Sequence, residues 1–148
     1  MAIDTHIKFA GIEGESTSAD HKGEVEVLSW HWGLTNSGPA TGGGSGVGKA
    51  QPEQLRVVHG DDKASPRLAR RAARGEVIRT AVLTARKAGE GQKDFLKITM
   101  KEVFITSVQT SSQADGSFTE EVAMAYGAIN FAYQPSDDKG GLGTAVKF

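Results

Sequence analysis

Apolar residues recur at every second position in several windows of this 148-residue chain, and turn-forming residues separate the windows. Period two places successive side chains on opposite faces of an extended chain, so each window predicts a strand. HIKFAGI (6–12) is the first, and EVEVLSWHWGL (24–34) is a longer second. In the second, Val25 and Val27 point one way while Leu28, Trp30, Trp32 and Leu34 point the other, a phase flip that implies a bulge or a strand covered on both faces. EQLRVVH (53–59) is a weaker window. EVIRTAVLTAR (76–86) carries Ile78 and Val82 on one face and Val77, Ala81 and Leu83 on the other. The clearest alternation is FLKITMKEVFITSVQT (95–110), with Leu96, Ile98, Met100, Phe104 and Val108 as its apolar series. A turn at Asp115-Gly116 leads into FTEEVAMAYGAINFAYQ (118–134), where Gly127 predicts a bulge at which apolar residues change face. The pattern is antiparallel β.

One helix interrupts it. In SPRLARRAARG, Ser65 is placed to cap, Pro66 suits the first helical position, and Gly75 can take the left-handed conformation that ends a helix, which predicts a helix over 65–74. Nothing divides the chain into two domains, so residues 1–135 are read as one unit followed by a flexible tail, 136–148. Basic and acidic side chains number 17 and 18, which excludes a whole-molecule field toward nucleic acid or membrane. The absence of cysteine excludes disulfides, thiolate metal sites and a cysteine nucleophile. MAIDTHIKFAG lacks the basic flank and apolar run of a secretory signal, so the chain is expected in the cytoplasm and not inserted in a membrane.

TGGGSGVGKAQ (41–51) spells Gly43, four residues, then Gly48-Lys49, the spacing of a phosphate loop. The context fails. Ala50 stands where a hydroxyl residue should hold magnesium, Pro52 obstructs the helix that should follow, and the preceding segment is itself a polar loop. Five glycines in residues 42–48 make the loop costly to order alone, which predicts that a partner surface covers it.

Other constellations carry less chemistry. His6, His21, His31 and His59 have no zinc-binding spacing, so no metal or cofactor is expected; His31, between Trp30 and Trp32, is read as structural or interfacial. The acidic pairs Glu24/Glu26, Asp61/Asp62, Glu120/Glu121 and Asp137/Asp138 read as solvated faces, and no nucleophile elbow occurs, so catalytic residues are expected to be absent. Arg67, Arg70, Arg71 and Arg74 share one helix face, with Leu68, Ala69, Ala72 and Ala73 forming the other. Such a stripe suits an anion, nucleic acid or cargo, yet no aromatic platform accompanies it; the bland reading is arginines in water or paired with a neighbouring subunit's acids.

IKFAGIEGES, HKGEVEVLSWHWG, SGPATGGGSGVGK, DKASPRLA, AVLTARKAGEGQKDFLKIT and INFAYQP, in that order over residues 6–135, resemble the Hcp family, the tube proteins of bacterial type VI secretion. Phe95 stands where a tyrosine is common, the arginine density is not a family hallmark, and the tail after Pro135 has no counterpart. The resemblance implies a compact antiparallel β-barrel of two sheets with a flanking helix, and hexameric rings that stack into a tube. It further implies a VgrG-type spike, a contractile sheath and effector cargo in the lumen as partners, with no nucleic acid, and export without a cleaved signal. On this reading Trp30 and Trp32 anchor a buried face, and the loop at 36–49, with Gly42, Gly43, Gly44, Ser45, Gly46, Val47, Gly48 and Lys49, is the assembly element. Arg67, Arg70, Arg71 and Arg74 are then candidates for lumen or anion contacts. A tail-tube subunit of a related contractile phage-type particle, or a small anion- or nucleic-acid-binding module, are the alternatives.

Overall fold

The computed structural model describes residues 3–36, 49–87, 93–135 and 146–147. In chain order its strands are β1 (Ile3–Phe9), β2 (Val25–Val27), β3 (Ser29–His31), β4 (Leu34–Asn36), β5 (Ala50–Pro52), β6 (Leu55–Gly60), β7 (Val77–Lys87), β8 (Asp94–Ser112), β9 (Phe118–Tyr133) and β10 (Val146–Lys147). The main sheet runs β2-β1-β7-β8-β9-β6-β3, with β10 added on β9, and every pairing is antiparallel. β4 and β5 form a separate hairpin.

β2 and β3, at the two ends of that order, are one continuous run of chain. Residues 25–27 pair with β1 and residues 29–31 with β6, while Leu28 N donates to Val58 O at 2.7 Å. The run therefore bridges both sheet edges and nearly closes the barrel, which leaves little edge to template stray pairing. The predicted phase flip is the bend at Leu28. It turns Val25 and Val27 into the core and brings Trp30 and Trp32 to pack against it, but it puts Leu28 itself outward, 62% exposed, contrary to expectation; Leu34 is also exposed.

A second reversal crosses three neighbouring strands at one level. The inward series passes from Ile78 to Ala81 on β7, from Met100 to Val103 on β8 and from Tyr126 to Ile129 on β9, and these residues are partners across the sheet. The crease lies at Glu102, whose φ of 54° is left-handed, opposite Gly127. A Cβ on Gly127 would sit 2.6 Å from Glu102 Oε2, so glycine makes room for the kinked neighbour. The face change expected at Gly127 is thus present without an extra residue there. The extra residue is Thr106, where the register slips between Ile105 and Ser107. Both features correct the simple alternation read for β8: Val103 and Ile105 point inward and Phe104 outward.

The helix α1 spans Ser65–Arg74, as its boundaries predict, with Pro66 in the first turn and Gly75 at φ 65° closing it. Ser65 is not its N-cap. Ala64 holds that place, and Asp62 Oδ1 accepts from Ala64 N at 2.9 Å while Ser65 Oγ accepts from Asp62 N. Leu68 is fully buried and Ala72 packs against the core, whereas Ala69 and Ala73, expected on the packed face, are exposed. Ile7, Phe9, Leu55, Leu83, Ile98 and Met124 lie at the barrel centre. Of the C-terminal tail, Val146 and Lys147 are described; they pair with Tyr133 and Ala132.

Candidate assembly surface

The Trp30-His31-Trp32 segment joins the barrel to the separate hairpin. Trp32 Nε1 donates to Tyr126 Oη at 2.7 Å, and Tyr126 Oη donates to the Glu53 carbonyl at 2.6 Å. The Trp32 ring also packs on Phe131, with centroids 5.9 Å apart. Burial raises the Tyr126 phenol pKa above its ordinary value, so it stays a donor at neutral pH. Glu53 N in turn donates to Gly33 O at 2.8 Å. A short relay thus fixes both ends of the hairpin stem to β9. His31 points away, exposed, with Nδ1 3.9 Å from Glu53 Oε2. All six hairpin residues are exposed. From this stem springs the glycine-rich segment: Lys49 is exposed at its base, while Gly42, Gly43, Gly44, Ser45, Gly46, Val47 and Gly48 lie outside the described residues.

The arginine face is elsewhere. Arg67, Arg70, Arg71 and Arg74 line a shallow depression of about 280 Å³ together with Gly11, Ile12 and Glu76, and none of residues 30–49 contributes to it. Arg71 Nε lies 3.3 Å and Arg74 Nη1 3.6 Å from the Glu76 carboxylate. Arg67 and Arg70 make no ion pair among the described residues.

A cleft of about 350 Å³ that the sequence reading did not single out lies between the 15–16 segment, the β2–β3 bend and the end of β6. It is lined by Glu15, Ser16, Glu26, Leu28, Gly60, Asp61 and Asp62. Glu15 and Ser16 lead into a turn that contains the short 3-10 helix Ala19–His21 and is stitched by Gly14 N donating to Gly23 O and Ser16 N to Glu24 O. His21, at the end of that 3-10 helix, stacks its ring on His6, with centroids 4.8 Å apart and planes 9° from parallel. His21 Nδ1 lies 2.9 Å from Glu24 Oε2 and Nε2 3.0 Å from Asp94 Oδ1. Two carboxylates can only accept, so this geometry suits an imidazolium donating from both nitrogens. Burial opposes that charge, but the bonds to Glu24 and Asp94 outweigh it and raise the His21 pKa above the ordinary value. Burial and the neighbouring His21 lower the pKa of His6. Arg86, almost fully buried, closes the cluster through Asp20 at 3.2 Å and through Ser18 Oγ.

Three of the four histidines are therefore buried structural groups, and three acidic residues read as solvated are not: the side chains of Glu24 and Asp62 are largely buried, bonded to His21 and to Ala64 N, and Glu120 is the most buried of the three. Glu120 is 2% exposed, holding His59 Nε2 at 3.0 Å and accepting from Thr110 Oγ1 at 2.8 Å. Among the described residues no cluster of three or more histidine or acidic side chains could hold a metal ion.

Residues 6–133 match the family described as type VI secretion system effector, Hcp. The chain belongs to the Hcp family. Protein hcp1 of Pseudomonas aeruginosa is 38% identical to it over 152 residues, covering all of this chain and 94% of the relative. A solved type six secretion system protein superposes with a TM-score of 0.91 at 32% identity, covering 98% of this chain and 92% of the other. Hcp1 from Salmonella typhimurium gives 0.81 at 33% identity, covering 100% and 95%. The Hcp chain is thus a type VI secretion tube or effector protein of a structural family whose members that apparatus secretes. Among its described residues no helix is long and apolar enough to cross a membrane.

Proposed function

We propose that this Hcp chain is the inner-tube subunit of a type VI apparatus, closing into hexameric rings that stack, leave the cytoplasm behind a VgrG-type spike under the push of a contractile sheath, and carry effector proteins in the lumen. The observation that carries the reading is the pairing of a nearly closed barrel with surface that a lone subunit leaves uncovered. Ile3, Leu28, Val77 and Phe118 are each more than half exposed, and a hairpin stem outside the main sheet bears the glycine-rich segment. Exposed apolar surface on a rigid shell is ordinarily buried by self-association, and a head-to-tail contact that closes gives a ring.

The work done is mechanical. Long paired strands β8 and β9 supply stiffness, polar groups facing the channel hold cargo weakly, and ring-to-ring contacts release after delivery. The hairpin and loop at 36–49 serve as the assembly element, anchored by Trp30 and Trp32. Negative-stain micrographs of the purified chain test this: six-fold annular particles are expected, and a field of isolated globules at every concentration overturns it.

A further inference from the structure

The chain is almost electrically neutral, yet it carries one predominantly basic and one predominantly acidic depression. Four guanidiniums on α1 face one carboxylate, Glu76, which Arg71 and Arg74 already share. In the cleft, three exposed carboxylates, Glu15, Glu26 and Asp61, gather beside the largely buried Asp62, which accepts from Ala64 N; Lys63 N donates to Glu15 Oε2 at 2.9 Å, but its ammonium is directed to Glu13 at 3.5 Å. Each surface alone would be a solvated charge cluster. Together on one near-neutral chain they form a complementary pair, and complementary patches set register and encounter rate in protein association.

The two surfaces form no ion pair with one another within a subunit. Asp62 sits at the start of α1, accepting from Ala64 N and Ser65 N, and the helix runs away from it by about 1.5 Å per residue. Arg67 and Arg70, the arginines nearest that end, form no ion pair with Asp61 or Asp62. Leu28, the most exposed large apolar side chain of the described residues, lies in the acidic cleft. Ala69 and Ala73, exposed beside the arginines, form a low strip that another surface can approach closely and that offers Leu28 apolar cover.

We propose that the arginine face of α1 docks into the Glu15–Glu26–Asp61–Asp62 cleft of a second copy, making this charge pair a subunit contact of the assembly. A nucleic acid fits the sequence less well, because the same molecule that offers the arginines also presents an acidic cleft that repels phosphate. The inference rests on the tube-subunit reading and specifies which surfaces meet.

Sedimentation velocity at 50 mM and 500 mM salt tests it with three variants. Arg67→Glu with Arg70→Glu turns the face acidic, Glu26→Lys with Asp61→Lys turns the cleft basic, and a third chain carries all four changes. The substituted side chains are exposed, and thermal melts verify that each variant folds. Each two-site variant is expected to weaken an association step of the unmodified chain at least ~100-fold, since like charges at an interface cost several kcal/mol. The four-site chain, and an equimolar mixture of the two two-site variants, are expected to regain it, and the unmodified contact to weaken with salt. Variants that assemble like the unmodified chain, or a four-site chain that fails to recover, overturn this contact while leaving the tube reading intact. An unmodified chain that stays monomeric overturns both.

Discussion

Replacing Glu120 by leucine removes a carboxylate that shares the inward face of β9 with Val122 and Met124. Its side chain is 2% exposed, His59 beside it is 1% exposed, and the change deletes the acceptor for both His59 Nε2 at 3.0 Å and Thr110 Oγ1 at 2.8 Å. His59 Nδ1, 4.0 Å from Asp62 Oδ1, already makes no hydrogen bond among the described residues, so the ring would be left buried with neither nitrogen hydrogen-bonded. Hydrogen bonds to charged groups contribute roughly 1.5–3 kcal/mol each, and removing one partner of a buried pair typically costs about 3–5 kcal/mol in all. For a domain of this size that corresponds to a fall in melting temperature on the order of 10 °C. The assay is thermal and urea unfolding at pH 7 and one fixed protein concentration, because self-association itself stabilises by mass action. Glu120→Gln, which keeps an acceptor, should cost less than half as much. Glu121→Gln, at an exposed pair with Arg56, should stay within about 1 kcal/mol. If Glu120→Leu is no more damaging than Glu121→Gln, the buried network does not hold β6 to β9 and the reasoning fails.

The His6–His21 stack gives stability a two-sided pH dependence. A raised His21 pKa contributes stability that is fully present below the unfolded histidine value and is lost as pH rises through the folded one; a lowered His6 pKa costs stability as pH falls below the unfolded value. Urea midpoints from pH 5 to 9 should therefore fall on the alkaline side, and His21→Ala should flatten that limb; an unchanged limb would contradict the bridge to Glu24 and Asp94. Gly14→Ala would bring a Cβ to 2.6 Å from the Glu24 carbonyl oxygen, which backbone cannot yield, so it should cost roughly 1–3 kcal/mol in the same assay. At the crease, Glu102→Val should be about 1–2 kcal/mol less stable than Glu102→Gly, because a branched side chain resists the left-handed conformation; equal stabilities would argue against the kink. Tyr126→Phe breaks the relay from Trp32 to Glu53, and increased hydrogen exchange at Gly33 and Glu53 should report the loosened hairpin stem.

Local chemistry was readable from the chain where it sufficed. Pro66 and Gly75 bound the helix to the residue, and alternation located β7, β8 and β9 because each is long enough for its period to stand out. Facing direction was not readable where the barrel bends. Leu28 looks like a core residue until the run 25–31 is seen to pair with β1 on one side and β6 on the other, a non-local fact that sets the bend. Phe104 likewise follows the β8 alternation until Glu102 reverses it, and no residue preference marks a glutamate for positive φ. The acidic cleft escaped notice because its carboxylates come from three separated segments and meet only when the barrel closes. Glu120 was misread for the same reason: its partner is 61 residues away.

The central claim is that this barrel acts by joining copies of itself, and native mass spectrometry reads that directly. The account predicts a dominant particle of six chains of 15.6 kDa, with multiples of it as protein concentration rises. A spectrum holding the single chain alone across the micromolar to millimolar range would contradict it.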